Sequence, residues 1–87
     1  MVAGSLGSWW RRLARGRNYV GRLPPAVSGA NGHTTTFVAA IKIARLVGFD
    51  RDAAWDLLRY YNATRCEPAW DEKALLHKLD EAFKHAR

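Results

Sequence analysis

The stretch from Pro24 to Phe37, PPAVSGANGHTTTF, breaks a chain that is otherwise patterned for helix. Each proline fixes φ and pushes the residue before it out of the helical region, while Gly29 and the Asn31-Gly32 pair favour turns. No single helix can run through such a stretch, so the elements on either side must fold back on one another. The break predicts a connector that is neither helix nor strand. The next helix is expected to begin near Thr35.

On both sides of the break the apolar residues recur at helical period. Trp9, Leu13, Gly16, Val20 and Leu23 step by four and three, predicting a first helix over 9–22, started by Ser8 and stopped by Pro24-Pro25. Gly16 and Gly21 weaken it by about 1 kcal/mol each relative to alanine. A second helix, over 35–47, carries Phe37, Val38, Ile41, Ile43, Ala44, Leu46 and Val47 around most of its circumference. Only Lys42 and Arg45 remain as a narrow polar strip, the pattern of a central helix, and Gly48 closes it. Asp50 caps a third helix over 51–61 with Ala54, Leu57, Leu58 and Tyr61 inward, and Asn62 suits its exit. Asp71 caps a fourth over 72–86, with Leu75, Leu76, Leu79, Ala82, Phe83 and Ala86 inward. Its acids lie in the first turn and its bases in the last, as the helix dipole favours. Nothing alternates with period two. The fold class expected is all-α, a small bundle of about four helices.

A chain of 87 residues suits one domain, in which about 60% of the unfolded surface can be buried. A basic extension over 1–14 and a helical domain over 15–87 are the expected divisions. No apolar run is long enough to span a bilayer, and MVAGSLGSWWRR has no apolar core of a secretory signal. The single cysteine, Cys66, suits a reducing compartment, so a cytoplasmic location is expected.

The net charge of +6 points to a polyanionic partner, nucleic acid foremost, with an acidic protein or lipid surface as the alternative. Residues 1–33 contain Arg11, Arg12, Arg15, Arg17 and Arg22 and no acid; Lys42 and Arg45 extend the excess. Arg11, Arg15 and Arg22 share a helix face, and no acid stands four residues away to pair with them. Phosphate contact explains such a face better than solvation alone, arginine being suited to bidentate contact.

Other features divide between function and structure. Trp70, in a loop before a helix cap, is either a base-stacking platform or a hydrophobic staple on its own helix. The Gly29-to-Thr36 segment is either a turn with an N-cap or a corner where free N–H groups meet an anion. Cys66 with His33, His77 and His85 matches no zinc spacing, and no carboxylates pair for acid–base work, so neither a metal site nor an enzyme is expected. No cofactor is implied.

Taken in order, YVGRLPPAVSGANGHTTTF, a buried helix ending in GF, and LLRYYNATRCEPAWDEKALLHKL resemble the primase C-terminal domain family. These are small helical modules beside the primase-polymerase and helicase parts of plasmid, phage and related replication proteins. The resemblance rests on Tyr19, Pro24, Pro25, Gly29, Gly32, His33, Thr36 and Phe37. It continues through Leu57, Leu58, Tyr61, Asn62, Cys66, Pro68, Trp70, Leu75, His77, Lys78 and Leu79. Pro68-Ala69-Trp70 stands where relatives typically have Pro-Pro-Trp, and Gly16 where alanine is usual. The resemblance implies a noncatalytic module that engages single-stranded DNA template, with the initiating nucleoside triphosphate as a further ligand. It would work beside the other domains of a primase-helicase protein. It makes Gly29, Gly32, His33 and Thr35 candidates for phosphate contact, and adds His77 and Lys78 to the nucleic-acid-binding residues Arg11, Arg15, Arg17, Arg22, Lys42, Arg45 and Trp70. The competing reading is a docking module that joins primase and helicase parts with little contact to DNA. A helix-turn-helix reader fits less well, because Asp50, Asp52 and Asp56 would face phosphates.

Overall fold

The computed structural model describes residues 14–27, 29 and 31–86. The first helix, α1, is described over 14–21. It is followed by β1 (Ala26–Val27), α2 (Gly32–Leu46), α3 (Arg51–Arg65), β2 (Cys66–Glu67) and α4 (Glu72–Ala86). The fold is a small all-α bundle, as expected, with four helices among the described residues. Arg11, Ser8 and the start of the predicted first helix lie outside those residues.

Small residues on one side of α2 decide the packing. Thr36, Ala39, Ala40, Ile43 and Ala44 are buried there, and α4 lies against them as the most extensive helix pair. α4 presents Leu75, Leu79, Ala82 and Phe83; α3 adds Ala54, Leu57, Leu58 and Tyr61; Val20 and Leu23 close the core. α1 rests on α3 at Gly16, where an added Cβ would lie 2.8 Å from Leu57 Cδ1. The absent side chain lets the two helices approach.

The proline break leaves carbonyls that no helix can satisfy, and α3 supplies their donors. The fully buried Tyr61 hydroxyl donates to Pro24 O at 2.6 Å. The Arg65 guanidinium donates to Leu23 O twice, at 2.6 and 3.2 Å. Beyond the prolines the chain does form a strand: β1 pairs in parallel with β2, Ala26 opposite Cys66 and Val27 opposite Glu67. The expectation of a connector without strand is corrected here. With only two residues each, the strands carry no alternation a sequence could display.

Helix limits also differ. α2 begins at Gly32 rather than Thr35, because Asn31 takes a left-handed conformation (φ 61) and its carbonyl accepts from the Thr35 N–H at 2.9 Å. Gly32, His33 and Thr34 therefore form its first turn. The helix ends at Leu46, followed by left-handed Gly48 (φ 62) and Phe49 (φ 64). α3 runs on to Arg65 instead of ending near Tyr61. α4 has the predicted limits. Both expected aspartate caps are present: Asp50 Oδ1 accepts from Ala53 N–H at 3.2 Å, and Asp71 Oδ1 from Ala74 N–H at 2.7 Å.

Candidate functional site

Thr36 anchors the site. It sits on the buried side of α2, and its hydroxyl donates to Gly32 O at 2.7 Å, the back-bond open to a threonine within a helix. With its proton spent, the oxygen accepts the Trp70 indole N–H at 3.0 Å and lies 3.9 Å from Cys66 Sγ. Asn62 on α3 fixes the backbone of Trp70 by two further hydrogen bonds. The indole is thereby locked in position and orientation. Trp70 is half-buried and packed on the core.

On this platform stands a cation. Lys78 Nζ lies 4.2 Å from the centre of the Trp70 ring and donates to His33 Nδ1 at 3.0 Å. An ammonium has no acceptor, so Nδ1 must accept. His33 meets the indole edge-on, with centroids 4.7 Å apart at 62°. Lys78 is only 9% exposed. Burial pulls its pKa below the ordinary lysine value, partly opposed by Cys66 nearby. The contacts that hold it, an imidazole nitrogen and an aromatic face, are neutral. The ion pairs among the described residues are Arg51–Asp80, Lys84–Glu81 and His85–Glu81, and none includes Lys78. Cys66 itself has its thiol pKa pushed up by burial, so it is a packing residue with little thiolate character.

Two clefts open on either side of this cluster. One, of about 510 Å³, is lined by His33, Thr34, Phe37, Trp70, Ala74, His77, Lys78 and Glu81. The other, of about 230 Å³, is lined by Ala26, Gly29, Gly32, His33, Glu67, Pro68 and Trp70. His33 and Trp70 border both.

Six of the residues singled out from the sequence are thus brought together: Gly29, Gly32, His33, Trp70, His77 and Lys78. Gly29 has the positive φ (84) that turn glycines serve. Gly32 does not: it is helical, and a Cβ there would lie 3.1 Å from Val27 O, so the close passage of β1 favours glycine. Thr35 stands apart, lining a separate groove with Lys42. Arg45 is exposed in the last turn of α2, roughly 18 Å along the axis from His33 at 1.5 Å per residue. Arg15, Arg17 and Arg22 are exposed on or just after α1, Arg17 lying 4.9 Å over the Tyr60 ring. The sequence reading missed the role of Thr36, although Thr36, Ala39, Ala40 and Ile43 make one buried stripe. The burial of Lys78 carried the same signal, since it falls between Leu75, Leu79 and Ala82 on the inward face of α4.

Among the described residues, no three His, Cys, Asp or Glu side chains converge to hold a metal, and no helix is long and apolar enough to cross a membrane. Compared with models of known families, with curated proteins and with solved structures, the chain finds no match.

Proposed function

We propose that this chain is a noncatalytic nucleic-acid-binding accessory domain of a replicative primase or primase-helicase. It grips the phosphates of single-stranded DNA template at the Lys78 cluster, and an initiating nucleoside triphosphate is a ligand of the same chemistry. The observation that carries the reading is Lys78 itself. A cation taken out of water is costly unless an anion accompanies it. Here the ammonium is held by neutral groups at the wall of an open cleft, and an incoming phosphate completes the pair.

The surroundings suit that role. The first-turn N–H groups of α2 have no partners within the helix, and they lie beside the smaller cleft at Gly32. Gly29 lines the smaller cleft without a side chain, and His77 is among the residues lining the larger one. The exposed arginines of α1 supply a longer-range field that draws in a polyanion and makes binding salt-dependent. DNA replication as the setting and single-stranded template as the ligand rest on the resemblance read in the sequence alone.

The test is a titration of the whole chain with a short single-stranded oligonucleotide at two salt concentrations, followed by NMR. Shifts should centre on His33, Trp70 and Lys78, and affinity should fall as salt rises. His33→Ala should weaken binding with little change in melting temperature. Shifts confined to other surfaces, or affinity unaffected by His33→Ala, would remove the Lys78 cluster from the DNA contact.

A further inference from the structure

α2 has a second side. Its polar strip was expected to be narrow, but Thr34, Val38, Lys42, Arg45 and Leu46 together face away from the buried stripe. Val38 is 40% and Leu46 47% exposed, two of the four exposed large hydrophobic residues among those described; the others, Val27 and Leu76, lie on different elements. Beside Val38 runs a groove of about 190 Å³, bounded by Leu23 and Pro24 on one wall and by Thr34, Thr35, Val38 and Lys42 on the other. No acid lines it, and α2 contains none. Neither Lys42 nor Arg45 takes part in an ion pair among the described residues.

We infer that this face docks an acidic amphipathic segment of a partner protein. Its apolar side chains enter the groove and cover Val38 and Leu46, while its carboxylates lie over Lys42 and Arg45. The charge supplies the complement: two unpaired cations set among aliphatic side chains, with no acid to oppose an incoming one. Nucleic acid fits this face less well. Phosphates gain nothing from valine and leucine, and among the described residues the face has no aromatic ring on which a base could stack. Exposed aliphatics interleaved with cations match the helix-in-groove mode, in which apolar anchors recur at i, i+3 or i+4 and charges flank them. Lys42 and Arg45 are thereby assigned to a protein partner instead of the template. Apart from Thr34, which borders the larger cleft as well, the surface shares no residue with the Lys78 cluster, so the two readings stand or fall separately.

The experiment uses the whole chain, isotope-labelled, and a short acidic peptide with leucines at i, i+4 and i+7 and glutamates between. A second peptide has serine in place of each leucine, and an oligothymidine serves as the nucleic-acid probe. The leucine peptide should shift resonances of Val38, Lys42 and Leu46 and leave His33 and Lys78 unmoved. Val38→Ser with Leu46→Ser should weaken it by about tenfold, the amount expected for two partly buried aliphatic contacts. Both positions are exposed, so the variant should fold normally, as its melting curve will report. The proposal is overturned if the leucine peptide does not bind, or if the serine peptide binds equally well, since simple charge attraction would then suffice. Shifts of Val38, Lys42 and Leu46 with oligothymidine but not with the peptide would assign the face to nucleic acid instead.

Discussion

The side chain of Asn62 grips the backbone of Trp70 from both directions. Its Oδ1 takes the Trp70 N–H at 2.7 Å, and its Nδ2 donates to the Trp70 carbonyl at 2.9 Å. A residue of α3 thus holds the loop before α4, and through it the indole on which Lys78 rests. Removing one partner of such a pair leaves a half-buried group unsatisfied. Asn62→Ala should cost about 1–3 kcal/mol in urea unfolding on that account, and should weaken oligonucleotide binding because the indole loses its fixed position. Asn62→Asp, which keeps the acceptor and loses the donor, should fall between. Normal stability with normal binding would show that the loop is held by its packing alone.

Lys78→Met separates binding from folding. Methionine can follow the path of the lysine stem along Trp70 without a charge to desolvate. The melting temperature should stay level or rise, while affinity for a single strand falls about tenfold or more, as for loss of a charge-assisted contact. If the variant melts much lower and each folded molecule still binds DNA normally, the buried ammonium serves the fold.

Alkaline titration reads the Tyr61 anchor. Its phenol is pushed up to about 12 from 10.0, first by burial, next by the Cys66 thiolate, with Arg65 opposing. A group whose folded pKa lies above its unfolded one stabilises fully below the unfolded value and loses that contribution as pH rises through the folded value. Stability from Tyr61 should therefore hold below pH 10 and decline toward about 12. Tyr61→Phe should cost about 1 kcal/mol near neutrality for the lost bond to Pro24 O, and should flatten that alkaline decline. The same slope in both proteins would place the titration elsewhere.

Two glycines should respond in opposite directions. Gly21, on α1, has nothing within 4 Å of an added Cβ, so Gly21→Ala should stabilise by about 0.5–1 kcal/mol through helix propensity and reduced freedom of the unfolded chain. Gly32→Ala gains the same propensity but drives its Cβ to 3.1 Å from Val27 O, a backbone atom held in the strand pair. It should destabilise, and it should shift the amide resonances of Val27 and Glu67. Equal melting temperatures for the two variants would show that β1 yields freely.

The four helices and both aspartate caps were legible because apolar period and capping are local signals. The start of α2 was not. Three threonines in a row resemble caps, yet the turn is made by Asn31 in the left-handed region with no side-chain cap bond. The end of α3 was hidden for a related reason. Asn62 looks like an exit residue, but its amide is engaged by Trp70 and the helix continues past it. Within the site, Gly29, His33 and Trp70 stood out by residue type and surroundings, whereas His77 and Lys78 came only from family resemblance. The hydrogen bonds that join the site run between α2, α3 and the loop before α4, and such pairings leave no trace in spacing along one chain.

His33 and Trp70 form a partition with a cleft on each face. Whatever enters either cleft therefore meets the same two side chains. Thermodynamic linkage then requires reciprocity: if a mononucleotide in one cleft changes the affinity for a strand in the other, the strand changes the affinity for the mononucleotide by the same factor. Two titrations, performed in opposite order, must return a single coupling constant, and its sign will say whether the two occupants assist or exclude one another.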